Sequence, residues 1–373
     1  MRGTGVGSAR HRGSGTAPGS LRRPSRILST GTAEESRDLR PVRHRGRMRT
    51  PAPLPEEFRD TGFSVRSALD AGIDRARLRT RDLSAPVGRG VRVPARSEDP
   101  LREAARALAE RFPGTVVSRR SAAVLWGMRV PAGWEDDPVL HLTRADAARA
   151  LERPGVVCRR SRIPDGHLAL LDGIPVTSPA RTFVDCAAEL GPESLVVLGD
   201  GIVCAHRHGV LRGVRPQATV AELERTVAAL TGRRGVRRAR RALERLRVGA
   251  DSAPETRLRL LLEDHGIDGL ETDLALCDAD GFPLVQPDLA IPGARLSIQY
   301  EGAHHDLREQ RVRDVHRRRA TERLGWREVR IVAADLRTRT ATPWGTVPTA
   351  VALVREALDP TPRGAAFGGS GHG

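Results

Sequence analysis

Lysine is absent from this chain, and all 62 of its basic residues are arginine. That uniformity is the mark of biased coding, so arginine content alone says little about partners, and arginine clustering says more. Aromatic residues make up 3% of the chain and Tyr300 is the single tyrosine, so any core rests on Leu, Val and Ala. The four cysteines, Cys158, Cys186, Cys204 and Cys277, form no CxxC pair, and no histidine stands at zinc-motif spacing beside them. This argues against a disulfide framework or a zinc ribbon and for buried thiols in a reducing cytoplasm. No apolar run approaches the ~18 residues that suggest a membrane span. No apolar stretch follows the N-terminal arginines, as a secretory signal would require.

Length and positive charge are what the sequence does have. The 373 residues leave room for two or three domains. A formal net charge of +16 favours polyanionic partners, nucleic acid ahead of an anionic membrane surface. Half of that charge lies in residues 1–47, where 11 Arg face only Glu34, Glu35 and Asp38. Nothing periodic appears there, so residues 1–50 are expected to be a basic disordered tail. Two readings stay open: a nucleic-acid-binding arm, or a segment upstream of a true start at Met48.

Residues 51–97 predict a small helical unit with a hairpin wing. Phe63, Ser64 and Val65 lead into a short helix that ends at Ala71 and Gly72. Asp74 is placed to cap a second helix carrying Arg75, Arg77, Arg79 and Arg81. Pro86, Gly88 and Gly90 mark a hairpin. Helix, turn, helix and wing is a DNA-reading layout, with Arg75, Arg77 and Arg79 as candidate contacts. The unit resembles the N-terminal winged helix of AbiEi-type antitoxins.

Residues 98–232 predict an α+β body, with a helix over 101–112, a helix from Ser118 to near Gly127, a strand over 139–142 and a helix over 183–190. The string from Gly173 to Thr182, together with Ser121, Ala122 and Ala123, resembles the body of AbiEi-like proteins. No catalytic constellation stands out there. Ser178 lacks a nearby histidine, and His206 and His208 are isolated polar residues expected at the surface. Residues 233–250 form a basic linker helix: 233–247 hold eight Arg against Glu244. Arg237, Arg238 and Arg241 are candidate phosphate contacts.

From Asp251 onward the pattern sharpens. Ser252 and Glu255 form a capping box, with Leu258, Leu261 and Leu262 on the helix's apolar face. Strands are expected over 273–277, 284–290 and 295–301, the first two joined through Asp280 and Gly281. A basic helix over 307–324, a strand over 326–332 and a helix opening at Ala333 follow. On the third strand, period two puts Leu296, Ile298 and Tyr300 on one side and Ser297, Gln299 and Glu301 on the other.

Pro287-Asp288-Leu289-Ala290, then Gln299-Tyr300-Glu301-Gly302-Ala303-His304-His305, then Gly325-Trp326 resemble the very-short-patch-repair-like (Vsr-like) branch of the PD-(D/E)XK endonucleases. The resemblance covers about residues 245–337. It implies a restriction-endonuclease-like α/β core over 251–340, followed by a C-terminal helix and tail over 341–373. It also implies hydrolysis of DNA, most naturally double-stranded, with Mg²⁺ or Mn²⁺ held by Asp288, Glu301 and Glu255. Gln299 takes the place of an expected carboxylate, and His304 or His305 would assist as general acid or base. Arg311 is a further candidate DNA contact. The family's usual motif lysine is missing. The sequence therefore predicts a cytoplasmic multi-domain α/β protein, either a metal-dependent endonuclease, nicking included, or a non-catalytic DNA-binding regulator of the AbiEi antitoxin type. DNA is the expected partner and no membrane is; a toxin or repair partner stays open.

Overall fold

In the N-terminal unit the helix expected after Val65 forms, and the one expected after Asp74 does not. The computed structural model describes residues 51–146, 149–206, 212–302 and 308–359, and of 308–314 only the helical backbone. Expectations for 1–50, His208, His304, His305, the Arg311 side chain and 360–373 lie outside the described residues. The unit comprises α1 (Glu56–Arg59), β1 (Phe63–Ser64), α2 (Val65–Asp70), a 3-10 turn at Arg77–Arg79, β2 (Leu83–Ser84) and β3 (Val91–Pro94). The strands form an antiparallel sheet ordered β1-β3-β2. Ser64 caps α2 by accepting from the Ser67 N–H at 3.0 Å. Phe58, Phe63, Ala68 and Leu78 make the core. Where a groove-reading helix was predicted, the chain completes one turn. The Arg77 guanidinium grips Asp82 at 2.7 Å and the Thr80 hydroxyl at 2.6 Å, which closes the turn and sends the chain into β2.

The body runs α3 (Pro100–Arg111), β4 (Thr115–Val117), α4 (Arg119–Leu125), β5 (Leu140–Arg144), β6 (Glu152–Arg153), β7 (Val156–Arg160), β8 (Leu168–Leu171), β9 (Ile174–Thr177), α5 (Pro179–Cys186), α6 (Pro192–Val203), α7 (Val220–Ala229) and α8 (Val236–Glu244). Six strands form one mixed sheet ordered β6-β7-β5-β4-β9-β8. The β5–β7 and β4–β9 pairs are parallel and the rest antiparallel. Val117, Leu140, Leu142, Ile174 and Val176 pack on Ala104, Ala105 and Leu108 of α3. Phe183, Leu195, Leu198, Ile202, Leu223 and Ala239 bind the helices α5 to α8 into a second core. α5 starts four residues before the predicted Phe183. Ser178 accepts from the Arg181 N–H at 3.3 Å and Pro179 occupies the first turn, where its missing N–H costs nothing.

The C-terminal part comprises α9 (Ala253–Asp264), β10 (Leu276–Cys277), β11 (Pro283–Val285), β12 (Leu289–Ile291), β13 (Leu296–Glu301), α10 (Arg308–Arg323), β14 (Arg327–Val332), β15 (Arg339–Thr342), β16 (Gly345–Pro348) and α11 (Thr349–Leu358). β12 is antiparallel to β13, and β13 is parallel to β14 with α10 as the crossover. The single strand predicted over 284–290 is broken in two. Pro287 has no N–H for a ladder, the Gln286 side chain reaches Asp273 at 3.0 Å, and the Asp288 side chain turns to β13. No helix opens at Ala333. One turn forms, the Thr338 N–H and hydroxyl both end on the Ala334 carbonyl, and the chain enters the β15–β16 hairpin.

α9 is shared between two cores, with Leu260 in the helical core of the body and Leu258 and Leu262 under the β12–β14 sheet. This anchors Glu255, in its first turn, at the seam. The architecture is mixed α/β, with eleven α-helices and five sheets among the described residues.

Candidate nucleic-acid interface and acidic centre

α8 is amphipathic because Val236, Ala239 and Ala242 recur on one face and are buried, while arginines fill the rest. Its arginines divide into two groups. Arg238 turns inward and donates to the carbonyls of Ala187 at 2.9 Å and Leu190 at 2.5 Å, beyond the end of α5. Arg233, before the helix, pairs with Asp185 at 3.2 Å, and Arg245, after it, pairs with Asp264 at 2.8 Å. Arg234, Arg237 and Arg241 are exposed and make no hydrogen bond or ion pair among the described residues. These three line a groove of about 1030 Å³ whose other wall includes Glu193 and Arg257. Of the predicted phosphate contacts, Arg237 and Arg241 are therefore available and Arg238 is not. In the N-terminal unit Arg75 and Arg79 are exposed, whereas Arg77 is occupied by Asp82 and Thr80.

The predicted metal ligands are only partly brought together. Asp288 is half-buried and its Oδ2 accepts from the Tyr300 N–H at 2.6 Å. Burial, and after it the Glu255 carboxylate, pushes the Asp288 carboxyl up to about 7, against the pull of the Tyr300 N–H and the Arg317 guanidinium. Burial also raises Glu255. One Glu255 oxygen takes the Asp251 N–H and the other the Ser252 hydroxyl, each at 2.7 Å. The capping box thus closes one residue earlier than its sequence pattern implies. Glu301 is turned toward β14, where Arg330 holds it at 2.7 Å and holds Glu328 at the same distance. Gln299 is buried and its Nε2 has no partner among the described residues.

A different group converges nearby. Among the described residues, one donor atom each from Cys204, His206 and Asp251 lie within 4.8 Å of one another. Asp288, Glu301 and Glu255 form no such group. His206, expected at the surface, is 8% exposed. Its Nε2 stands 2.7 Å from Asp251 Oδ1 and 3.3 Å from Cys204 Sγ, and its Nδ1 stands 3.4 Å from Asp273 Oδ1. The Cys-x-His spacing was the available signal, since residues two apart in extended backbone point to the same side. Only Cys186 of the four cysteines is fully buried; Cys158 and Cys204 are partly exposed and Cys277 is exposed.

Residues 115–245 match the family model of the AbiEi antitoxin C-terminal domain. The match begins at β4 and runs through α8, so the basic helix falls inside the matched segment and ahead of the acidic centre. The chain is also similar to two uncharacterized proteins of Mycobacterium tuberculosis, from strains CDC 1551 and H37Rv. Each is 33% identical over 173 residues, which is 46% of this chain and 59% of the relative. The chain thus spans about three-fifths of the length of the curated relatives it matches. Among the described residues no helix is long and apolar enough to cross a membrane.

Proposed function

We propose that this protein is a DNA-binding regulator of the AbiEi antitoxin type, acting in the cytoplasm on double-stranded DNA and on a toxin partner. The observation that carries this reading is the exposed, unpaired face of Arg234, Arg237 and Arg241, within the segment similar to the antitoxin domain. Arginines already neutralised by carboxylates or carbonyls have little to offer a phosphate; unpaired ones release counterions from DNA and bind. Arg75 and Arg79 of the N-terminal unit add a second basic surface. The test is fluorescence anisotropy of a labelled duplex against salt concentration. A triple variant, R234Q/R237Q/R241Q, should bind more weakly and lower the slope of log K against log salt by about 2–3. An unchanged slope would refute the reading.

A second reading, a Mg²⁺- or Mn²⁺-dependent endonuclease, has a specific observation in its favour. The Asp288 carboxyl is raised by burial and then by the Glu255 carboxylate, and it stands beside a sheet in which β12 is antiparallel to β13 and β13 is parallel to β14. Like charges held close raise a carboxyl, and a divalent cation between them would relieve that repulsion. The donors on β13 do not complete an oxygen shell as arranged, because Glu301 is bound to Arg330 and the unpartnered atom of Gln299 is a nitrogen. Supercoiled plasmid with Mg²⁺ or Mn²⁺ tests this reading. Nicking by the parent and none by Asp288→Ala supports it, and intact plasmid with both rejects it.

A further inference from the structure

Cys204 and His206 follow the end of α6, where the chain passes into extended backbone and both side chains turn to one side. Asp251 comes from the segment that precedes α9, held there by the bond from its N–H to Glu255. Cys204 and His206 therefore belong to the antitoxin-like segment, and Asp251 and Asp273 to the part that follows it.

We propose that Cys204, His206 and Asp251 form a binding site for a thiophilic divalent cation of the zinc class, which ties the antitoxin-like segment to the C-terminal part. Around a tetrahedral zinc, with Zn–N about 2.0 Å and Zn–S about 2.3 Å, nitrogen and sulfur donors stand about 3.5 Å apart and nitrogen and oxygen about 3.3 Å. The observed Cys204–His206 separation of 3.3 Å is within a few tenths of that. The His206–Asp251 separation of 2.7 Å has to open slightly, and the Asp251 side chain, half exposed, is able to move. A thiol, an imidazole and one carboxylate are the donor set of zinc and not of magnesium, which takes oxygen. Three protein donors leave the fourth position open to water or to a partner's side chain.

The outer shell supports the assignment. The buried Asp273 carboxylate sits on the far nitrogen of His206, as carboxylates do behind metal-bound imidazoles. In the tautomer that directs Nδ1–H at Asp273, Nε2 turns its lone pair toward Cys204 and Asp251. A lone pair facing the Asp251 carboxylate is repulsive, and a cation between them relieves that; the Cys204 thiol, which donates to the Ala250 carbonyl at 3.1 Å, gives up that bond when it ligates as a thiolate. Asp273 is built into this place. Its backbone is left-handed, φ 53°, and it packs so tightly on Gly249 that a Cβ there would stand 2.4 Å from its own.

The experiment uses the full chain. The protein is loaded with zinc, dialysed and analysed for metal by mass spectrometry beside Cys204→Ser, His206→Ala, Asp273→Asn and, as a control, Cys277→Ser. The expected result is about one zinc per chain in the parent and in Cys277→Ser, none in the first two variants, and roughly 10–100-fold weaker binding in Asp273→Asn. A parent without zinc, or zinc retained by Cys204→Ser, overturns the proposal. A readout on the parent alone avoids any folding defect of the variants. Zinc should shield Cys204 from N-ethylmaleimide and leave the exposed Cys277 reactive. Equal alkylation of Cys204 with and without zinc would also overturn it.

Discussion

Arg259 of α9 and Asp200 of α6 form an ion pair 2.8 Å long in which neither side chain reaches solvent. Asp200 also accepts from the Thr256 hydroxyl at 2.9 Å and the Arg247 N–H at 2.8 Å, and Arg259 reaches Glu263 at 2.8 Å. This network fastens α9 to the body. Burial still pushes the Asp200 carboxyl up, so the pair depends on all of its partners.

Removing one partner of a buried pair costs more than removing both, because the survivor keeps its desolvation cost without compensation. Arg259→Met is expected to lose about 3–5 kcal/mol of unfolding free energy. The double variant Asp200→Asn/Arg259→Met should recover much of that loss. Urea denaturation of the four proteins in this cycle decides it, and additive losses would refute the coupling.

Asp288 gives stability a defined pH dependence. Its folded carboxyl titrates at about 7 against an ordinary 3.8, so between those values the folded state holds the extra proton. That contribution is fully present below about pH 4, is lost as pH rises toward 7, and is level above that. Asp288→Asn keeps an acceptor for the Tyr300 N–H and removes the titration. In metal-free buffer it should match the parent near pH 4 and exceed it by roughly 2–4 kcal/mol at pH 8. A parent whose melting temperature tracks the variant at every pH would contradict this.

Neighbouring arginines on α8 should fail in opposite ways. Arg238→Ala removes two charge-assisted bonds to the carbonyls of Ala187 and Leu190 and is expected to cost about 1–3 kcal/mol. Arg237→Ala, exposed and unpaired, should change stability by less than about 0.5 kcal/mol and weaken DNA binding. Thermal melts and duplex titrations on the same two preparations separate the roles. Equal melting temperatures would show that the inward bonds of Arg238 do not matter.

Gly235 sets the start of α8. Its φ is 90°, and a Cβ there would stand 2.5 Å from the Ala188 nitrogen, which is backbone and cannot step aside. Gly235→Ala is expected to cost at least about 2 kcal/mol, combining the left-handed penalty with the clash. It should also lower DNA affinity by displacing the basic face. A variant as stable as the parent would mean that α8 can shift freely.

Elements with a strong local signal were legible. The apolar spacing of 101–112 and the alternation along β13 gave α3 and the third strand close to their observed bounds. Failures came where a side chain from elsewhere took over a backbone partner. Arg77 reaching Asp82 ended a predicted helix after one turn, and Asp288 taking the Tyr300 N–H split a predicted strand. The candidate site followed the same division. Charge density pointed to Arg237 and Arg241, while nothing local marked Arg238 as turned onto the Ala187 and Leu190 carbonyls.

The sequence by itself determined that this is a lysine-free, arginine-rich α/β protein with a basic helix before its C-terminal part, because composition and periodicity are properties of neighbours along the chain. Only the tertiary structure decided which arginines are neutralised and which face solvent, and that His206 lies buried among Cys204, Asp251 and Asp273. The physical reason is that charge pairing and burial depend on groups brought together across dozens of residues. Two residues of identical chemistry, Arg237 and Arg238, differ only in what the fold sets beside them.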